Sequence, residues 1–550
     1  MDTQWWRGAT IYQIYPRSFA DDNADGIGDL AGIISRLPYV ASLGVDGIWL
    51  SPFFTSPMRD FGYDVSDHRG VDPMFGTLEQ FDELVGEAHR LQLKVVIDQV
   101  WSHTASEHPW FQESRQDRLN AKADWYVWAD PRDDGGPPNN WLSWMGGPAW
   151  RWEPRRQQYH LHHFLPQMPD LNFHCPAVQE AMLDIGRFWL DRGVDGFRLD
   201  TANLYAHDPL LRDNPPAPPD RRGDSPVLMQ DHLYTMNQPQ SRAFLQRLRT
   251  LMDDYPGTMT VGEIGGANAI DTMQDYTRGN DALHTAYSFA FLGTRPDVST
   301  VNQHLSQWGD GDGWPSWAFS NHDVPRVATR WGLGSAAGFG FGAGLVRTDA
   351  APAHSPGPSA LTWMALLIAL RGTLFLYQGE ELGLTQSDVP FERLQDPYGL
   401  ANWPLNPGRD GCRTPMPWEH DAPEAGFSRV HPWLPADPAH AHLAVNLQER
   451  DPASMLHHTR ALLGLRRTHA ALRTGSCEVL MADSTSSTLV LRRGSGAQAV
   501  VALFNFGVQQ TPWPQDLTRH CGDLLWSTPP TPQPGQPIVA GSAAFYLCRG

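Results

Sequence analysis

A carboxylate closes the run Gly196-Phe197-Arg198-Leu199-Asp200, which has the pattern of a short buried strand. Arg198 lies two residues before Asp200 and therefore on the same face. A guanidinium there would hold Asp200 ionised at neutral pH, the state in which a carboxylate attacks. Taken alone, the pair reads equally as a structural ion pair. Two further strand-like runs lead to acids, at Gly262-Glu263 and at Asn321-His322-Asp323. Another runs into Asp98 and His103, and the loop Asp60-Phe61-Gly62-Tyr63-Asp64 adds more acids. Carboxylates flanked by histidines, with no metal-ligand spacing, suit cleavage of a glycosidic bond. That reaction needs one ionised carboxylate at the anomeric carbon and one carboxylic acid to protonate the leaving oxygen. Crowding of like charges and partial burial keep one of the two protonated. His103 and His322 would then hydrogen-bond sugar hydroxyls without titrating.

These acids meet only if the elements that carry them converge. Candidate strands are Ile11–Tyr15, Gly47–Leu50, Lys94–Val100, Gly196–Asp200, Met259–Ile264, His284–Phe289, Pro315–Ser320 and Thr373–Tyr377. Helical patterns lie between most of them, for example Leu78–Leu91 and Val178–Arg192. This alternation predicts an α/β protein, a (β/α)8 TIM barrel whose strand tips open on one mouth. An open doubly wound sheet is the alternative, and it lacks a Gly-rich nucleotide loop after its first strand. Residues 104–173, rich in Trp, Pro and Asn, read as an inserted subdomain B after strand three. The barrel would then comprise 1–103 and 174–475, with an excursion at about 381–451 after strand eight. Short alternating strands in 476–550, such as Thr488–Leu491 and Ala499–Phe504, predict a C-terminal antiparallel β domain. Asn214–Pro226 and the Gly/Ala-rich Gly332–Ser359 read as flexible loops.

A chain of 550 residues calls for two or three domains. Its net charge of −19 argues against a nucleic-acid or anionic-membrane partner. The 22 tryptophans either stack on sugar rings or fill cores. The five cysteines are scattered without a zinc spacing, which implies reduced thiols in a reducing compartment. The first residues hold no apolar signal core, and Leu361–Leu370 is too short to span a bilayer. A cytoplasmic location is the expectation.

Phe197-Arg198-Leu199-Asp200, Val261-Gly262-Glu263 and Ser320-Asn321-His322-Asp323 resemble the catalytic sequence regions of the α-amylase superfamily of glycoside hydrolases. Gln13-Ile14-Tyr15-Pro16-Arg17-Ser18-Phe19, Met168-Pro169-Asp170-Leu171-Asn172 and Gly411-Cys412-Arg413-Thr414-Pro415-Met416-Pro417-Trp418 resemble its α-glucosidase and oligo-1,6-glucosidase branch. The resemblance implies Asp200 as nucleophile, Glu263 as general acid/base and Asp323 as the third acid, holding sugar hydroxyls. It implies Asp60, Tyr63, His103, Arg198 and His322 as the lining for a non-reducing terminal glucose. It implies a retaining α-glucosidase acting on small oligosaccharides or α-glucosides, with glucosyl transfer sharing the same intermediate. Thr201, in a position where Thr or Ala accompanies α-1,4 preference and Val accompanies α-1,6, implies α-1,4.

Asp21-Asp22-Asn23-Ala24-Asp25-Gly26-Ile27-Gly28-Asp29 spaces oxygen ligands like the start of an EF-hand loop, without its terminal Glu. An acidic turn is the plainer reading. The resemblance favours a structural Ca²⁺ or Mg²⁺ held by Asp21, Asn23, Asp25, Asp29 and the Ile27 carbonyl. No organic cofactor is expected. Ser102 replaces the Asn that many α-amylases carry before the strand-three histidine, removing support for a second calcium. Rival readings are a trehalose synthase or sucrose-active relative and, from another class, a non-catalytic transporter-associated binding protein.

Overall fold

In the computed structural model, β1 (Thr10–Ile14), β2 (Gly47–Leu50) and β3 (Lys94–Gln99) are apolar and almost wholly buried. Strands covered on both faces have that pattern. The residues described are 3–219, 222, 225–266, 268–293, 295–309, 311–331, 359–531 and 534–549. The Gly/Ala-rich stretch, except Ser359, and part of the Pro-rich one lie outside them. Next come three short strands of the insertion, β4 (Trp128–Ala129), β5 (Trp150–Glu153) and β6 (Gln158–Leu161). The remaining core strands are β7 (Gly196–Leu199), β8 (Met259–Ile264), β9 (Thr285–Ser288), β10 (Ser316–Ala318) and β11 (Thr373–Tyr377).

Eight of these form one parallel sheet in the order β9-β8-β7-β3-β2-β1-β11-β10. A parallel bridge between Ala286 and Pro315 joins the two end strands and closes the ring. Its lumen is filled by Ile11, Trp49, Val96, Met259, Val261, Tyr287, Ala318 and Phe375, so it is a packed core and not a pore. All eight expected strands are present; three have the expected ends and the other five are shifted by one or two residues. The seventh is the shortest, beginning after Pro315, which has no N–H for a ladder.

Helix α1 (Leu30–Leu43) starts where the Asp29 side chain accepts the Gly32 N–H and ends at Gly44, whose φ of 88° suits glycine. Helix α2 (Leu78–Arg90) opens on a Thr77/Gln80 capping box and buries Phe81, Leu84, Val85 and Ala88, one face of a 3.6-residue period. Helix α3 (Pro176–Leu190) begins two residues before the expected Val178, with Pro at its first turn.

The insertion is more ordered than its loop-like sequence implied. β4, β6 and β5 make a three-stranded antiparallel sheet. Its base is clamped at the barrel mouth, where Leu171 N–H donates to Ser102 O at 3.0 Å and Thr104 N–H to Pro169 O at 3.2 Å. At the C-terminal end, β12 (Cys477–Asp483), β13 (Thr488–Arg493), β14 (Val500–Asn505), β15 (Cys521–Ser527) and β16 (Ala543–Cys548) form a five-stranded antiparallel sheet. It docks through Trp363, stacked on Phe506 at 4.9 Å.

Eight tryptophans, among them Trp49, Trp189 and Trp418, are fully buried and serve as core. None of the five cysteines, all among the described residues, forms a disulfide. Among the described residues, no helix is long and apolar enough to cross a membrane.

Candidate active site

Strand register brings the acids into one layer at the top of the barrel. Asp98 on β3 and Val261 on β8 flank Arg198 on β7, and Glu263 on β8 pairs with Tyr287 on β9. Arg198 is completely buried and serves three carboxylates. Its Nη1 donates to Asp98 Oδ1 at 2.8 Å and to Asp200 Oδ1 at 2.7 Å. Its Nη2 lies 2.6 Å from Glu263 Oε1. Nε and Nη2 also reach the Tyr287 hydroxyl, at 3.3 and 3.1 Å. That hydroxyl donates to Glu263 Oε1 at 3.0 Å.

Thr201 follows Asp200 directly and sits at a φ of 41°, a left-handed conformation rare for a β-branched residue. Its hydroxyl lies 3.4 Å from Asp200 Oδ2 and 3.0 Å from Ser102 Oγ. Ser102 Oγ in turn lies 2.8 Å from His103 Nδ1, while His103 Nε2 lies 3.0 Å from the Tyr63 carbonyl. A carbonyl only accepts, so Nε2 carries the His103 proton and Nδ1 accepts from Ser102. Both ring nitrogens of His103 are thus engaged within the protein.

A second buried network surrounds Asp323. Arg409 donates to Asp60 Oδ1 at 2.5 Å, Asp396 Oδ1 at 2.9 Å and Asp323 Oδ1 at 3.3 Å. Arg413 donates to Asp323 Oδ1 at 3.1 Å and to the His322 carbonyl at 2.7 Å. The His322 ring is stacked on Tyr63, with centroids 5.1 Å apart. Gln13 Nε2 donates to His322 Nδ1 at 2.8 Å, so the proton sits on Nε2, 3.2 Å from Asp323 Oδ2.

Charge is divided unequally. Burial pushes Asp200 up to about 7 against the pull of Arg198, whose one guanidinium is shared three ways. Arg198 alone therefore does not guarantee an ionised Asp200, as the sequence pattern implied. Burial pushes Glu263 up to about 7 as well; Arg198 opposes it, and Asp200 and Asp323 reinforce it. Asp98, raised to about 6 by burial, lies beside them, so the cluster around Arg198 binds protons close to neutrality. Burial also works against the Asp323 charge, yet His322, Arg409 and Arg413 hold that carboxyl at about 2. Burial pushes His322 down to about 3, so near neutral pH the two arginines carry this effect.

Asp200, Glu263, Asp323, Asp60, Tyr63, His103, Arg198, Thr201 and His322 are thus joined by these two networks. The Asp21–Asp29 loop stands apart and packs on 427–433, through Asp21 N–H to Phe427 O and Trp433 N–H to Gly26 O. Its carboxylates turn to its own backbone. Asp21 accepts from Ala24 and Gly26 N–H, and Asp29 Oδ1 caps α1 through Gly32 N–H. Among the described residues no three His, Cys, Asp or Glu side chains are grouped to hold a metal. The donor set itself, carboxylates with an amide and a carbonyl oxygen, is that of a hard cation. Burial raises the Asp29 carboxyl, a shift a cation there would oppose.

Residues 13–475 match the family described as Alpha-amylase: Alpha amylase, catalytic domain. The chain belongs to the alpha-amylase family. It is 52% identical over 516 residues to a probable alpha-glucosidase of Rhizobium meliloti (strain 1021), covering 92% of this chain and 90% of that protein. It is 35% identical over 538 residues to an oligo-1,6-glucosidase of Heyndrickxia coagulans, covering 91% and 92%. Among solved structures it superposes on the alpha-glucosyl transfer enzyme XgtA with a TM-score of 0.90 and 48% identity, over 99% of both chains.

In this alpha-amylase family member, Tyr287, Arg409 and Asp396 also belong to the networks, although their local sequence does not mark them. Tyr287 reads as one more aromatic in a buried strand. Arg409 and Asp396 lie in the excursion after the last barrel strand, where nothing local points back to Asp60. Arg413 stands in a motif that marked the branch, but its grip on Asp323 was not legible there.

Proposed function

We propose that the chain is a retaining, exo-acting α-glucosidase. The observation that carries this reading is the single guanidinium of Arg198 touching both Asp200 and Glu263. Two carboxyl groups sharing one cation fit the close spacing of a retaining pair, about 5–5.5 Å, rather than the wider spacing of an inverting one. Asp200 attacks the anomeric carbon while Glu263 gives its proton to the glycosidic oxygen. A covalent glucosyl-enzyme forms as that bond breaks. Glu263, now a carboxylate, takes a proton from water, or from an acceptor hydroxyl in transfer, and the ester to Asp200 is cleaved.

Asp323, held anionic by Arg409 and Arg413, accepts sugar hydroxyls. His322 Nε2–H is the donor beside it. The buried Arg409–Asp60 bridge adjoins Asp323, and a closed end there would suit attack on a terminal glucose. The names of the relatives support small α-glucosides as substrates, with transfer to other hydroxyls competing. The reading that α-1,4 bonds are preferred rests on Thr201 alone, and the oligo-1,6-glucosidases among the relatives stand against it. A Ca²⁺ or Mg²⁺ on Asp21, Asn23, Asp25, Asp29 and the Ile27 carbonyl would tie the first loop to the start of α1 and would be structural.

Proton NMR of maltose cleavage tests the reading. The non-reducing glucose should appear first as the α anomer, in excess over the anomer mixture that the maltose reducing ends carry. Initial β anomer in excess of that mixture, or no release, would overturn it. Conversion of maltose to trehalose without net release would favour the trehalose synthase reading instead.

A further inference from the structure

We propose that Tyr287 is a positioning residue: its hydroxyl, donated to Glu263 Oε1, confines the proton that Glu263 delivers to the other oxygen, Oε2. This inference rests on the reading of Glu263 as the general acid.

The direction of each hydrogen bond follows from the chemistry of the groups. A guanidinium only donates, so the Tyr287 hydroxyl accepts from Arg198 Nε and Nη2. Its own single proton is then free to go to Glu263 Oε1, 3.0 Å away. The same Oε1 has Arg198 Nη2 at 2.6 Å. The Tyr287 hydroxyl therefore points at Oε1 and the Arg198 charge lies against it, so a proton bound there would meet both. Oε2 receives only the Thr201 N–H, at 3.3 Å. The acid proton accordingly resides on Oε2.

When the glycosidic bond breaks, the Oε2–H bond breaks and its proton moves to the leaving oxygen. The negative charge left on Glu263 finds Oε1 already bonded by Tyr287 and paired with the Arg198 charge. Donors that are in place before the charge develops need no reorganisation at that moment. Tyr287 is itself fixed. Its ring lies against Trp49 and Phe375 at 6.2 and 5.8 Å in the lumen, and register with Glu263 sets its height. The other groups facing Glu263 are Arg198 and Asp200 from β7 and its end, Asp98 from β3, Asp323 beyond β10, and Tyr205 after β7. Tyr287 is the neutral donor among them that bonds Glu263 directly.

Tyr287→Phe keeps the ring and its packing and removes only the hydroxyl. The ionised form of Glu263 loses a donor, so the basic limb of the kcat/KM–pH profile should move to higher pH, on the order of half to one unit. Maltose should lose more rate than a nitrophenyl α-glucoside, whose leaving group needs little protonation. A basic limb that stays in place, or equal losses on both substrates, overturns the assignment. Glu263→Gln is the control that separates the two readings. If Glu263→Gln keeps the basic limb, Glu263 is not the acid. If it abolishes the limb and Tyr287→Phe leaves it unmoved, only the Tyr287 assignment fails.

Discussion

The backbone N–H of Thr201 donates to Glu263 Oε2 at 3.3 Å, while the Thr201 hydroxyl lies 3.4 Å from Asp200 Oδ2. One residue thus touches both carboxyl groups, and it does so from a backbone conformation that a β-branched residue seldom adopts. The surroundings impose that strain. Ala202 N–H is anchored to the Glu263 carbonyl at 3.1 Å, and Ser102 holds the Thr201 hydroxyl at 3.0 Å.

On the proposed reading of Asp200 as nucleophile, that hydroxyl would sit beside the bond to be cut, so its chemistry would bear on linkage preference. We expect the wild type to cleave maltose faster than isomaltose. Thr201→Val keeps the shape and removes the hydroxyl, leaving Ser102 Oγ without this partner. A change of that size in a pocket is worth about 1–3 kcal/mol, or roughly 10–200-fold in kcat/KM. The ratio of kcat/KM on the two disaccharides should therefore move toward isomaltose. A wild type that prefers isomaltose, or a ratio that does not move, would refute this.

Asp200→Asn should fold normally and lose several orders of magnitude in kcat, because an amide cannot form the glucosyl ester. Arg198 keeps Asp98 and Glu263 as partners in this variant. Circular dichroism and thermal melting establish folding. Near-normal turnover by a well-folded protein would end the assignment.

The raised carboxyls set the pH dependence. Asp200 and Glu263 are both raised to about 7, so below that range both become protonated and the attacking charge is lost. Above it the last proton leaves and the acid is lost. The kcat/KM profile should be a bell with its maximum near neutrality. A rate that rises steadily to pH 9 would contradict this.

Thorough chelation should lower the melting temperature, since a cation on the Asp21–Asp29 loop binds only the folded chain. Activity at low temperature should survive, because the loop contributes nothing to the acid layer. An unchanged melting temperature together with no metal by elemental analysis would leave the loop as a simple turn.

Arg466 predicts a change in stability without a change in chemistry. It is buried and donates to five carbonyls, those of Gly8, Ile368, Leu370, Gly372 and Leu472. Gly8 and Gly372 precede β1 and β11, so the knot lies at the barrel face opposite the acids. Arg466→Met would strand several buried acceptors at about 1–3 kcal/mol each. The variant should melt well below the wild type, yet show wild-type KM at a temperature where it is folded. An unchanged melting temperature would show that water replaces the guanidinium.

Much of this was determined by the sequence alone. Eight strands buried on both faces announce themselves as continuous apolar runs, and an acid that ends such a run is visible without any neighbour. Asp200, Glu263, Asp323 and the family could therefore be read from short local motifs. The three-stranded sheet of the insertion could not, because strands of two to four residues are too short to show a period.

The tertiary structure alone decided how the charges are shared. Arg409 and Asp60 lie 349 residues apart and meet only because the excursion after the last strand folds back over the barrel mouth. Tyr287 becomes a donor to Glu263 only through the register of two neighbouring strands. Arg198 looked like the private partner of Asp200, yet the neighbouring strands β3 and β8 give it Asp98 and Glu263 as well. Burial then outweighs the pull it has left on each. Local periodicity tells which face a side chain takes, but pairing and burial are properties of the closed barrel, and they set which carboxyl keeps the proton.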